Sequence, residues 1–218
     1  MRQLALPFGE TRGYAAEDFC PAPSNAAARE WLSRTEQWPQ GRLLLWGEAG
    51  CGKTHLLRIW AAAHQAEFFE GAALQGLLRP LRPVAVDDTD IVAEPRALLH
   101  LINAAGETGV PLLMSARLPP GRQAFKLADL ASRLRATQAV EIRPPEEELL
   151  ELLLARLAAE RQLRLGLSVR NFMLLHLPRT AAAFREAVAR LDHATLDRGT
   201  KVTRQLASEV LADLMQPD

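Results

Sequence analysis

Cysteine is scarce in this 218-residue chain: Cys20 and Cys51 are far apart and match neither a zinc spacing nor a disulfide framework, which suits a reducing compartment. Net charge is missing too, since 26 basic side chains balance 26 acidic ones. A protein that grips DNA phosphates for a living carries a basic excess or a basic stripe, and neither stands out here. No apolar run approaches the ~20 residues of a membrane span. The apolar stretch within Met1–Glu10 is short and broken by Pro7, which excludes a secretory signal as the expected reading. Repeats are absent, and alanine-rich helical stretches are the only compositional bias. These absences predict a cytoplasmic globular protein without membrane association. Its length allows one domain, or one plus a small partner, around an ample core.

What is present is a glycine-rich string. Gly47-Glu48-Ala49-Gly50-Cys51-Gly52-Lys53-Thr54 matches the phosphate-binding loop pattern, which average residue usage would produce by accident in about one chain in a hundred of this length. Arg42–Trp46 ahead of it reads as a buried strand. His55–Ala63 behind it reads as a helix with apolar residues at 56, 57, 60, 61 and 63. That context aims backbone N–H groups and a helix dipole at a polyphosphate. Lys53 is placed to reach the β- and γ-phosphates, and Thr54 to hold Mg²⁺ through its hydroxyl. Gly47, Ala49, Gly50, Cys51, Gly52 and His55 complete the seat for a nucleotide. Cys51 reads as a tolerated small residue at a variable loop position.

Further strand patterns at 67–70, 84–87, 110–115 and 138–142 alternate with helical patterns near 25–37, 54–64, 95–107 and 125–135. This alternation predicts an α/β fold: a parallel five-stranded sheet with helices on both faces. The character changes at Arg143-Pro144-Pro145. Beyond it Glu146, Glu147 and Glu148 suit a helix N-terminus, and Leu149, Leu150, Leu153, Leu154 and Leu157 line one face. Ser168 and Thr203 read as later N-caps. The expected organisation is a terminal arm at 1–12, a nucleotide-binding α/β domain at 13–143, and a small all-helical lid at 144–218.

Val84-Ala85-Val86-Asp87-Asp88 is an apolar strand ending in two carboxylates. Placed after the glycine loop in strand order, it fits a Walker B element. Asp87 would sit in the Mg²⁺ shell, and Asp88 would orient an attacking water.

With these motifs in this order the chain resembles the AAA+ family, and within it the DnaA-related group that includes short regulators of the Hda type. The resemblance covers nearly the whole chain. It implies an AAA+ P-loop domain with a helical lid, and it places roles on further residues. Phe19–Asn25 is similar to the segment that lies against adenine, with Asn25 a nucleotide contact. Leu112–Pro120 is similar to the sensor 1 strand, with Ser115 its polar group. Leu127–Leu134 is similar to the arginine-finger segment, with Arg133 the finger. Leu177-Pro178-Arg179-Thr180 is similar to sensor 2, with Arg179 reaching the nucleotide. The initiator DnaA carries a further DNA-binding domain that has no counterpart before Asp218, so no direct sequence-specific DNA binding is expected.

The amino terminus offers Gln3, Leu4, Leu6, Pro7 and Phe8, a polar amide followed by apolar anchors with a proline that lowers the ordering cost of binding. It looks like the peptide by which replication proteins bind the sliding clamp. The resemblance therefore implies a regulator of replication initiation that binds ADP or ATP with Mg²⁺, engages the clamp, and donates Arg133 in trans to ATP held by DnaA. Such a protein is at most a weak ATPase itself. Two alternatives stand beside it: a DnaA-like or helicase-loader-like ATPase using Asp88 and Ser115 on its own ATP, and a non-enzymatic adaptor stabilised by nucleotide. A homodimer through the terminal arm is a further expectation.

Overall fold

The structure, a computed structural model, describes residues 14–215. The clamp-like peptide at Gln3–Phe8 lies outside the described residues. Five strands, β1 (Arg42–Trp46), β2 (Glu67–Glu70), β3 (Val84–Asp87), β4 (Leu112–Ala116) and β5 (Gln138–Glu141), form one sheet in the order β2-β3-β4-β1-β5. All four pairings are parallel, with Leu44 of β1 opposite Met114 of β4 and Ala139 of β5. The predicted α/β sheet is the observed one.

Alternation along each strand sorts side chains onto two faces. Leu44, Val84, Val86, Leu112 and Met114 pack with α3 (Pro95–Thr108) and α4 (Ala128–Arg135) through Leu98, Leu101, Ile102, Leu130 and Leu134. Leu43, Leu45, Ala85, Leu113 and Val140 face the other way. They meet α1 (Ala26–Leu32) and α2 (Lys53–His64) through Ala28, Leu56, Leu57 and Trp60. Because both faces are covered, β1 reads as a continuous apolar run rather than an alternating one. Trp60 donates its indole N–H to Thr35 Oγ1 at 2.9 Å, so the largest ring in this layer is buried without an orphaned donor.

From residue 147 the chain is helical: α5 (Glu147–Glu160), α6 (Leu167–His176), α7 (Ala181–Arg198) and α8 (Arg204–Val210). These helices share a core of their own around Leu150, Leu154, Phe172, Phe184, Val188 and Leu211. Thr203 caps α8, accepting the Leu206 N–H at 3.1 Å, as expected. Ser168 does not cap α6, whose N-cap is Gly166; the chain enters the helix two residues earlier than a Ser168 cap requires, at Leu167.

Phe184 is fully buried in the helical core. Phe184→Ala should lower unfolding free energy by about 3–5 kcal/mol through lost contacts and a residual cavity. Guanidinium denaturation followed by circular dichroism checks this, and a loss below ~1 kcal/mol would mean the helical core collapses to fill the gap.

Candidate nucleotide site at the glycine loop

The loop leaves β1 at Gly47, where φ is +156° and a Cβ would fall 2.4 Å from the Ile142 carbonyl. Only glycine lets the chain turn this tightly against the residue that follows β5. At Gly50, with φ at +80°, a Cβ would lie 2.9 Å from Thr180 Cβ, so the helical part of the chain touches the loop directly. Gly52 is the N-cap of α2 and supplies no capping side chain. The first-turn N–H groups of a 12-residue helix are left without side-chain acceptors at the loop's mouth, with the positive end of the helix dipole behind them.

Lys53 is buried, and its Nζ donates to the carbonyls of Gly47 at 2.8 Å and Glu48 at 2.9 Å. The loop thus closes around a cation that a phosphate would meet head-on. Thr54 follows in the first turn. Burial pushes the Cys51 thiol up against the opposing pull of Lys53, so Cys51 stays a neutral thiol.

Across the sheet, β3 ends in Asp87 and Asp88. Ser115, wholly buried on β4, donates its hydroxyl to Asp87 Oδ1 and accepts the Asp88 backbone N–H at 2.8 Å. One hydroxyl therefore fixes both carboxylate residues. Asp88 sits in the left-handed region at φ +51°, which aspartate tolerates better than most side chains. Gly71 makes room for this bend, since a Cβ there would lie 2.3 Å from the Asp88 carbonyl. Burial first, and then the charge of Asp87, push the Asp88 carboxyl above the usual aspartate range. Among the described residues no cluster of three or more His, Cys, Asp or Glu could hold a metal unaided. Asp87 and Thr54 are the donor set that Mg²⁺ uses when phosphates and waters fill its other positions. The residues fit a cation that arrives with a nucleotide, to neutralise phosphate charge.

Beside the loop lies a small cavity of about 50 Å³ lined by Phe19, Cys20, Asn25, Cys51, His55 and, from the helical part, Leu149, Leu150, Leu153 and Arg185. Its walls are largely apolar, the kind of surface on which a planar ring packs. Asn25 is buried but spoken for: Oδ1 accepts the Ala22 N–H at 3.1 Å and Nδ2 donates to the Cys20 carbonyl at 3.1 Å. It shapes the wall. His55 Nε2 lies 3.1 Å from the Ala15 carbonyl, which can only accept, so that nitrogen carries the proton. Burial holds His55 below the usual histidine range, and the edges of its ring meet Tyr14 and Phe19. Arg156 of α5 pins the same segment from the far side, donating to the Glu17 carbonyl at 2.7 Å and to Asp18.

The structure brings Lys53, Thr54, Asp87, Asp88 and Ser115 to one end of the sheet. Arg179 precedes α7, is exposed, and lies 3.9 Å from Glu147, outside the cavity lining. Arg185 and Ala181, four residues apart on one face of α7, line the cavity instead. That spacing was the available signal for Arg185. Arg133 is exposed in the last turn of α4, which leads into the amino ends of the strands.

No model of a known protein family matches the chain. A Haemophilus influenzae protein, itself described as uncharacterized, is 26% identical over 228 residues, spanning 96% of this chain and 98% of that one. Domain III of the Thermotoga maritima replication initiation protein DnaA superposes with a TM-score of 0.76 at 18% identity, covering 94% of this chain and 98% of that one. AMPPCP-bound DnaA from Aquifex aeolicus gives 0.69 at 15% identity, over 85% of this chain and 69% of that one. The Thermotoga maritima RuvB Holliday junction branch migration motor gives 0.65 at 17%, over 86% and 68%. The fold is AAA+. At these identities the likeness extends to the AAA+ architecture, and the chemistry rests on the residues described above.

Asp88 yields a pH prediction. With its carboxyl raised above the unfolded value, the folded state binds more protons than the unfolded state between the two pKa values. Stability therefore falls as pH rises through that window. Above it the ionised carboxylate is a standing cost that Asp88→Asn removes, and asparagine also accepts the left-handed backbone. The variant should melt above wild type at pH 7, with the gap closing as pH falls toward about pH 4. Thermal melts at the two pH values decide it; a lower melting point at pH 7 would show that the charge is stabilising.

Proposed function

We propose that this protein is a DnaA-related AAA+ regulator of the Hda type, which holds adenine nucleotide in its own loop and promotes hydrolysis of ATP held by a DnaA initiator. The observation that carries the reading is the separation of Arg133 from the chain's own glycine loop. The loop follows the carboxyl end of β1, whereas Arg133 stands at the amino edge of the same sheet. A five-residue strand alone puts about 16 Å between those edges. Arg133 therefore serves a phosphate outside this molecule. Offered in trans to a transferring phosphoryl group, an arginine stabilises its charge and raises the rate by roughly 10³–10⁵.

In this reading Lys53, Thr54, Asp87 and the loop amides seat ADP or ATP with Mg²⁺, and the base enters the cavity under α5 and α7. The bound nucleotide sets shape, and the chain is at most a weak ATPase. Gln3, Leu4, Leu6, Pro7 and Phe8 tether it to the sliding clamp, where effective concentration compensates for a weak DnaA contact. The cytoplasm is the compartment that holds these partners, and among the described residues no helix is long and apolar enough to cross a membrane. A second reading is favoured by the shared Ser115 hydroxyl, which orders Asp87 and Asp88 as an ATPase would need. There Arg133 completes the site of an identical neighbour.

The deciding measurement is hydrolysis of DnaA-bound ATP with clamp loaded on DNA. Arg133→Ala should lose stimulation by at least about a hundredfold, and Leu6→Ala/Phe8→Ala should lose it while retaining nucleotide. Full stimulation by Arg133→Ala overturns the trans-finger reading. Rapid turnover by the chain alone, abolished by Asp88→Ala, transfers support to the second reading.

A further inference from the structure

Arg42, the first residue of β1, is 4% exposed. Its guanidinium donates to Gln40 Oε1, and its buried Nε has no hydrogen-bond partner among the described residues. Among the described residues no carboxylate is ion-paired or hydrogen-bonded to it. Its own burial and the like charge of Arg133 both lower its pKa. By strand alternation Arg42 lies on the face of β1 that carries Leu44, which shares a core with Leu130 and Leu134 of α4, the helix that bears Arg133. The Arg133 carbonyl accepts the Thr137 hydroxyl at 2.9 Å, Thr137 leads into Gln138, and Gln138 lies alongside Leu43 in the sheet.

The acceptor that meets Arg42 is itself held at a cost. Gln40 has φ at +57°, and Gly41 follows at +65°, so a non-glycine residue is kept in the left-handed region where its neutral amide faces the guanidinium. An amide oxygen satisfies a donor without cancelling its charge. A buried cation with a neutral partner and a second cation nearby is poor for stability, and an apolar side chain of similar volume would fold as well or better. Stability alone does not explain the pair.

We propose that Arg42 is a positioning residue for Arg133: its uncancelled charge turns the Arg133 guanidinium outward and makes the amino edge of the sheet an anion-binding face for a polyphosphate carried by a second molecule. The inference rests on Arg133 acting on another molecule's phosphate. Arg42 is too buried to touch that phosphate. It acts through the field, which at this depth is screened less than between exposed charges. It also denies Arg133 an inward resting place, so no ion pair must break before an anion is met.

The test uses the full chain saturated with ADP, with inorganic tripolyphosphate as probe. The readout is the side-chain Nε–H resonance of Arg133, identified by its loss in Arg133→Lys. In wild type this resonance should shift on titration. In Arg42→Met and Arg42→Gln the apparent affinity should fall about five- to tenfold. Arg42→Lys, which keeps the charge, should return it to within about twofold, and Arg42→Met should melt no lower than wild type. The inference is overturned if wild-type Arg133 does not respond. It is overturned equally if Arg42→Met or Arg42→Gln binds like wild type, or if Arg42→Lys is as weak as Arg42→Gln. The stimulation assay with Arg133→Ala separates the two ideas. Its failure with a normal tripolyphosphate response removes the regulator reading and leaves the anion face. The reverse result keeps Arg133 as a finger and removes Arg42.

Discussion

The site depends on one constraint: β1 is hydrogen-bonded on both sides, by β4 and by β5. A strand in the middle of a parallel sheet cannot shift without breaking two ladders. The loop that leaves it is therefore anchored where the Ile142 carbonyl and the end of β4 already stand. Gly47 is the concession to that crowding. Thr180 closes on Gly50 from above, so the loop is held between sheet and helices before any ligand arrives.

Charge is distributed with the same economy. Lys53 lends its ammonium to two loop carbonyls, while Asp87 and Asp88 share the Ser115 hydroxyl on the neighbouring strands. The opposite edge of the sheet reverses the pattern, with two arginines and an amide in place of a lysine and two carboxylates. Polarity thus runs along the strands: a lysine and two carboxylates stand at one end, two arginines and an amide at the other.

Much of this was legible in the sequence. The strands were, because burial on both faces demands apolar runs, and β1 and β3 have them. The glycine loop and the Asp87–Asp88 pair were, because phosphate and metal chemistry restrict residue types at fixed spacing. Helix ends were less so. The first helix was expected to reach residue 37 but stops at Leu32, where the Ser33 hydroxyl donates back to the Glu30 carbonyl and a 3₁₀ turn begins. The fourth strand begins at Leu112 rather than 110, after Pro111, which has no N–H to give a ladder. The resemblance places the lid arginine at Arg179, which stands exposed beside Glu147. The phase of α7, which decides who faces the cavity, puts Arg185 there. Asn25, expected as a nucleotide contact, lines the cavity with its amide held by two hydrogen bonds to nearby backbone. Such short-range pairings depend on a turn that no residue pattern announces.

The salt bridge between Arg156 and Asp18 joins residues 138 apart in the chain. One wall of the base cavity comes from before the first strand and its roof from after the last. No contiguous stretch of chain can build this pocket, and the loop-closure entropy must be met before its contacts repay anything. During synthesis the glycine loop emerges long before α5 and α7 exist. The cavity is complete only when segments on either side of the sheet-forming stretch, Asp18 and Arg156 among them, have met.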